Sequence, residues 1–250
     1  MSNDKVVVGG TSVTAAQMSE FWRQAAGGSI TGAMLQSLLE HRLLPDTSPA
    51  IFFLPLWLRI WEKLGVKDAE AELKKLWLEP TPGFWDVYVP QGATPNKVVA
   101  YLRSLGVSVN VYTDDLDAAV THNDRDPSSG SYRVRFRATI EADPEHKDKS
   151  ADMLKEQGIK GITLLERLLL EVVHLEFLFL GLAHFLVVGD ESALNRHRLD
   201  ANSATLCSGS RNPDGDVPSV DWCSGYREVY VYWFSPRDRS PGLCARVAVS

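Results

Sequence analysis

From Val229 to Phe234 the chain reads Val-Tyr-Val-Tyr-Trp-Phe. Successive side chains of a strand point to opposite faces. Val229, Val231 and Trp233 therefore share one face, and Tyr230, Tyr232 and Phe234 share the other. One face packs and the other is shown to something. The same division runs through residues 214–250. One kind of position reads as scaffold: Val217, Pro218, Val220, Trp222, Val229, Val231, Trp233, Pro236, Leu243, Ala245, Arg246, Ala248 and Val249. The other kind is chemically miscellaneous: Asp221, Cys223, Ser224, Gly225, Tyr226, Tyr232, Phe234, Ser235, Asp238, Ser240, Pro241, Cys244 and Val247. Every member of the second set is reachable when the two adenines of an AAY asparagine codon are replaced freely. That group of amino acids lacks Trp, Lys, Glu, Gln and Met. Trp222, Trp233 and Glu228 fall outside it and read as fixed.

A chain of 250 residues can bury a real core, as one large domain or two small ones. Its formal charge of −6 argues against non-specific attraction to phosphate. The last lysine is Lys160, and all later positive charge is arginine. The opening MSNDKVVVGG has no apolar core long enough for a signal peptide, so the default expectation is cytoplasmic. Cys207, Cys223 and Cys244 form no CxxC pair and no metal-ligand spacing, which reads as reduced thiols with no metal and no cofactor.

Residues 1–10 read as a loose terminus. Ser12 or Thr14 caps a helix carrying Met18, Phe21 and Trp22 on one side, and Gly27-Gly28 ends it. Ser29 or Thr31 caps a second helix through Met34, Leu35, Leu38 and Leu39. The pair reads as a packed helical hairpin before a helix-turn-helix, because the second helix lacks the basic and amide residues that contact bases. Ile51–Leu58 is strongly apolar but interrupted by Pro55, and with Arg59–Leu64 it is too short and broken to span a bilayer. Ala69–Leu76 reads as an amphipathic helix, and Pro80-Thr81-Pro82-Gly83 as a segment boundary.

A β-α-β pattern follows: a strand over Trp85–Val89, a helix opened by Thr94-Pro95, and a strand over Val107–Tyr112. Asp114, Asp115 and Asp117 do not match a calcium loop and read as a solvated helix start. Asn123–Gly130 is a turn-rich linker. Ser131–Ala142 alternates, with an arginine face of Arg133, Arg135 and Arg137 that pairs with carboxylates, meets water or holds an anion. Ser150 caps a helix ended by Gly158, and Thr163 caps the next, whose Leu164, Leu165, Leu168, Leu169 and Val172 form a broad stripe. The following run, His174–Gly189, is the most apolar in the chain. Glu171, His174, Glu176 and His184 punctuate it, which favours a buried helix or a partner-facing patch over a membrane span. Asp190–Asn202 reads as polar and irregular.

Several stretches resemble the target proteins of diversity-generating retroelements, which mutate adenine-templated codons. They are TLCSGSRNPDGDVPSVDW (Thr205–Trp222), ARVAVS (Ala245–Ser250), residues Gly130–Glu171 and VNVYTDDLD (Val109–Asp117). The resemblance covers residues 109–250 and matches forms common in small uncultivated bacteria. It implies an α+β chain: a C-type-lectin-like domain at 128–250 with a variable region at about 214–250, a β-α-β segment at 81–127 and a mostly helical region at 1–80. It also implies that Tyr132–Thr139 pairs with Ala245–Val249, so that the ends of the module meet. Two departures stand out: Glu176–Asn195 lies where such proteins have a shorter, more polar connection, and Cys244 lies where arginine is expected.

The function expected on this basis is non-enzymatic ligand binding. The displayed residues would be the miscellaneous set together with Arg237 and Arg239, supported by Trp222, Trp233 and Arg246 as scaffold. Tyrosines with Ser and Gly make the mixture used in antibody paratopes. No GxSxG, HExxH or Walker-type loop is present. Lectins of this fold that bind sugar through calcium carry EPN or QPD with WND, and none occurs here, which leaves calcium-independent sugar binding open. The partner is an unknown protein or small ligand, with no nucleic acid, no membrane span, and homo-oligomerisation left open. The rivals are a ligand-sensing regulator with nucleic-acid-binding N-terminal helices, and a relative of the formylglycine-generating oxidases. The oxidases use closely placed cysteines in a motif that Cys223 and Cys244 do not reproduce.

Overall fold

A computed structural model of the chain describes residues 7–8, 11–12, 50–81, 83–180 and 198–249. The two helices expected between residues 14 and 39 lie outside the described residues, as do His184, the end of the apolar run and most of Asp190–Asn202. The chain divides into two compact units, Met1–Ser48 and Pro49–Ser250. In the first, β1 (Val7–Val8) and β2 (Thr11–Ser12) pair antiparallel, where a loose terminus is expected.

The second unit mixes helix and sheet in the α+β manner. It starts with α1 (Ala50–Lys63) and α2 (Ala69–Leu76). Pro55 lies in the second turn of α1, where it forgoes one ladder bond without ending the helix. Next come β3 (Phe84–Val89), α3 (Pro95–Ser104), β4 (Ser108–Val111), α4 (Leu116–Ala119), β5 (His122–Asn123) and β6 (Tyr132–Arg137). The helices α5 (Ala151–Glu156) and α6 (Leu164–Leu180) follow. The chain closes with β7 (Ala204–Leu206), β8 (Ser210–Arg211), β9 (Val217–Cys223), β10 (Glu228–Phe234) and β11 (Leu243–Ala245).

Local chemistry sets the helix starts. Thr94 Oγ1 accepts from Lys97 N, with Pro95 at the first helical position, and Ser150 Oγ accepts from Met153 N. Thr163 and Glu166 form a reciprocal capping box: Glu166 N donates to Thr163 Oγ1 and Thr163 N to Glu166 Oε2. Asp115 caps α4 by accepting from Asp117 N and Ala118 N, which accounts for part of the aspartate cluster.

From Leu164 to Glu176, helix α6 is buried all round, as a helix packed on several sides must be. It contacts α1, α3, β3 and β9. Contacts thus run across the segment boundaries expected near residues 80 and 127. Trp57 and Ile60 of α1, Val98 and Leu102 of α3, and Val229 and Val231 of β10 share one core with the leucines of α6. No helix among the described residues is long and apolar enough to cross a membrane.

Among the described residues five strands form one sheet in the order β11-β7-β9-β10-β4, with β10–β4 and β11–β7 parallel and the other pairs antiparallel. The expected β-α-β segment is thus split. Its first strand, β3, pairs antiparallel with β6, while its second, β4, joins β10 in the larger sheet. The arginine face of β6 meets carboxylates: Arg133 and Arg135 hold Asp86, and Arg137 reaches Glu145. The expected pairing of the module's ends is a single bridge, Arg135 with Val249, on the edge of β6 away from β3.

Arg246 does the rest of that closure from the interior. It is fully buried and donates to the carbonyls of Thr139 (2.9 Å) and Ile140 (3.2 Å) and to Asp200 Oδ1 (3.1 Å). Asp200 Oδ2 accepts from Arg167 Nε at 2.9 Å and from the Thr205 hydroxyl, and Arg167 also donates to Glu171. At the foot of α6, Gly161 and Gly209 meet so closely that a side chain would not fit. A Cβ on Gly161 would lie 1.8 Å from Ser208 Oγ, and one on Gly209 would lie 2.9 Å from the Gly161 carbonyl.

Removing one partner from a buried ion network leaves the others unpaired, at a cost of about 3–5 kcal/mol. Asp200→Ala should lose stability on that scale in urea denaturation, whereas Thr163→Ala should lose only about 1 kcal/mol as a cap.

Candidate ligand-binding face

The sheet divides its side chains by parity. Cys244, Thr205, Val220, Val231 and Val111 are register partners in turn across the five strands, and this row faces the core. The neighbouring positions face outward: Ser219 and Asp221 on β9, Tyr230 and Tyr232 on β10, Asn110 on β4. Near β11 and β7 the outer face is covered, since Leu206, Val217 and Ala245 pack with Ala151 and Leu154 of α5 in a second, smaller core. Towards β9, β10 and β4 it is open.

The open part carries an aromatic strip. Tyr232 meets Phe234 edge-on at 5.4 Å and Tyr112 at 4.6 Å, and Tyr226 lies 6.3 Å from Tyr230. Tyr112, Tyr226 and Tyr232 are 65%, 75% and 41% exposed, so the strip is presented and not packed away. Beside it lies a concavity of about 390 Å³, floored by Ser219, Asp221, Tyr230, Tyr232 and Phe234 and walled by residues 200–204 and Gly242. The volume falls in the range of small-ligand sites. Its wall is braced from behind, because Asn202 N and Nδ2 and the Ser203 hydroxyl all donate to Glu141.

The sequence-assigned residues fall into separate groups. Asp221, Tyr232 and Phe234 line the concavity. Cys223, Ser224, Gly225 and Tyr226 make the β9–β10 turn, where Ser224, Gly225 and Tyr226 are exposed and Cys223 half-buried. A Cβ added to Gly225 would meet nothing within 4 Å. Ser235, Arg237, Asp238, Arg239, Ser240 and Pro241 form the loop after β10, where Asp238 Oδ2 accepts from Ser235 N and Arg239 pairs with Asp148. Trp222 is buried beneath the Arg198 guanidinium, 4.3 Å from its ring, and Trp233 packs partly against the core.

Two assigned residues do not join the face. Cys244 shares the inward row with Thr205, is buried, and donates from Sγ to the Asp143 carbonyl at 2.9 Å. Val247 pairs with Gly161 instead, and its N–H donates to Asp143 Oδ2 at 2.8 Å. Conversely, Tyr112, Ser219 and the 200–204 wall belong to the face and were not among the assigned residues. The alternation of Val109, Val111 and Tyr112's neighbours marks an outward position at 112, but nothing in the sequence places it beside Tyr232.

All three cysteines are free. Burial pushes the Cys207 thiol well up and the Cys244 thiol up to about 11, so both are protonated at neutral pH and poor nucleophiles. Among the described residues no group of three or more His, Cys, Asp or Glu is placed to hold a metal. Comparison with protein-family models, curated proteins and solved structures gave no match.

Burial raises the Asp221 carboxyl from its ordinary value to about 6, with Asp200 adding to the rise and Arg167 opposing it. A folded value above the unfolded one means stability that is full below about pH 4 and lost as pH rises through about 6. Asp221→Asn should therefore stabilise the protein near pH 7.5, by about 1–2 kcal/mol once the partial exposure of the group is discounted, and by nothing near pH 4. Denaturant midpoints at the two pH values check this.

Proposed function

We propose that this chain is a ligand-binding protein of the retroelement-diversified kind, in which a fixed scaffold displays exchangeable side chains on the outer face of a C-type-lectin-like module. The reading rests first on the stretches quoted above. The observation that carries it is the parity of the β9–β10 hairpin: Val220, Trp222, Val229 and Val231 are buried, while Asp221, Tyr226, Tyr232 and Phe234 point away from that core. Such an arrangement lets outward residues change without disturbing the packing that holds them. The contact chemistry is that of a paratope, with large aromatic surface at low rotamer cost next to small, adaptable polar groups.

The loops agree with this role. Gly225 has an ordinary backbone conformation and open space around it, so any side chain fits there. The loop after β10 is held by its own backbone: Asp238 N donates to the Ser235 carbonyl and Leu243 N to that of Ser240. Asp238, Ser240 and Arg239 are tied into the loop or to Asp148, while the Arg237 side chain is 88% exposed.

The DNA next to the gene tests the origin of the face: a near-copy of the 3′ coding end, differing at adenines and beside a reverse transcriptase gene, is expected, and its absence would remove the reading. The protein itself tests the division of labour. Replacing Ser224, Gly225 and Tyr226 together should change stability by no more than about 0.5 kcal/mol. Trp222→Ala should cost about 3–5 kcal/mol by leaving a cavity under β9.

A further inference from the structure

The concavity beside the aromatic strip has a chemistry of its own. Ser219 is 1% exposed and lines the concavity, and its hydroxyl has no hydrogen-bond partner among the described residues. That hydroxyl is closed off from solvent on the floor of the concavity, so Ser219 shapes the floor without presenting its oxygen. Asp221 stands two residues further along β9 on the same face, half-buried, and its carboxylate has no hydrogen-bond partner among the described residues either. In register across the strand pair, Tyr232 lies opposite Ser219 and Tyr230 opposite Asp221. The cavity thus joins one carboxylate and aromatic rings.

We propose that, in the version of the face carried by this chain, the concavity receives a guanidinium group of an arginine side chain, with the Asp221 carboxylate as counter-charge and the rings of Tyr230 and Tyr232 beside it. The inference rests on the display reading of the same face. A carboxylate among aromatic rings favours a cation. Guanidinium suits the site better than ammonium: it is planar, stacks on rings, is weakly hydrated, and its fork matches a carboxylate.

The charged groups around Asp221 leave this role open. From the 200–204 wall comes Asp200, whose oxygens are taken by Arg167, Thr205 and Arg246. Beneath the sheet Arg167 is held by Asp200 and Glu171. On β10, Glu228 accepts from Ser108, and Tyr230 and Tyr232 contribute rings and hydroxyls. Glu141 behind the wall is occupied by Asn202 and Ser203. Of these, Arg167 lends some positive charge to Asp221 from beneath the sheet but is itself bonded to Asp200 and Glu171. Because burial lifts its carboxyl to about 6, the counter-charge is present at neutral pH and fades in mild acid.

The test titrates the full-length chain with N-acetylarginine amide, its neutral isostere N-acetylcitrulline amide, and N-acetyllysine amide, followed by NMR shifts. Saturable binding of the arginine compound is expected, at least about tenfold tighter than citrulline and weakening about tenfold from near pH 7.5 to near pH 5 as Asp221 protonates. Binding should vanish in Asp221→Asn, and saturation should lower the Asp221 titration midpoint. No binding of the arginine compound, equal binding of citrulline or lysine, or unchanged binding by Asp221→Asn would each overturn the proposal. Citrulline binding that depends on Tyr232 would sink the guanidinium assignment while leaving the display reading intact. The display reading stands or falls separately on the neighbouring DNA.

Discussion

The carboxylate of Asp200 is the point through which the module is tied together. It lies in the interior between Arg167 of α6 and Arg246 of the final segment, and it also accepts from the Thr205 hydroxyl of β7. Three parts of the chain that are far apart in sequence thus share one charge. Ions taken out of water are stable only when satisfied on every side. Each of these partners is consequently fixed in position, and so are the carbonyls of Thr139 and Ile140 that Arg246 also reaches. The neighbouring residues 201–204 inherit that rigidity and stand as a wall over the outer face of the sheet.

Once the sheet is held there, parity decides which side chains can be shown. The inward row from Cys244 to Val111 is committed to the core, whatever its chemistry. The outward row is divided by α5, which covers the β7–β11 end with Ala151 and Leu154 and leaves the β9–β10 end bare. The result is a face supported mainly from the inward row. Phe234 stands at the seam, lining the concavity while touching the small core beneath α5.

Much of this was legible in the sequence where the signal is local. The alternation of β10 and β6, the caps at Thr94, Ser150 and Thr163, and the stripe of α6 all depend on residues within a few positions of one another. What escaped is what depends on partners. A strand's own residues do not say which strand it pairs with, so β3 and β4 looked like one unit and are not. Tyr112 reaches the face only because β4 lies parallel to β10. Asp200 sits in a stretch that reads as polar and irregular, and its burial follows from two arginines supplied by distant segments. Cys244 looked variable by composition. Its register beside Thr205 turns it inward.

The position of β10 within the sheet has a further consequence. Over Glu228–Val231 its backbone is paired on both sides, with β9 and with β4. A strand at a margin offers unpaired amides to any passing chain, and sticky substitutions there invite fibrils. A strand enclosed by neighbours presents no such template. Sequence drift at Tyr230, inside the doubly paired stretch, can therefore explore oily or β-prone residues without opening a route to self-association through the main chain.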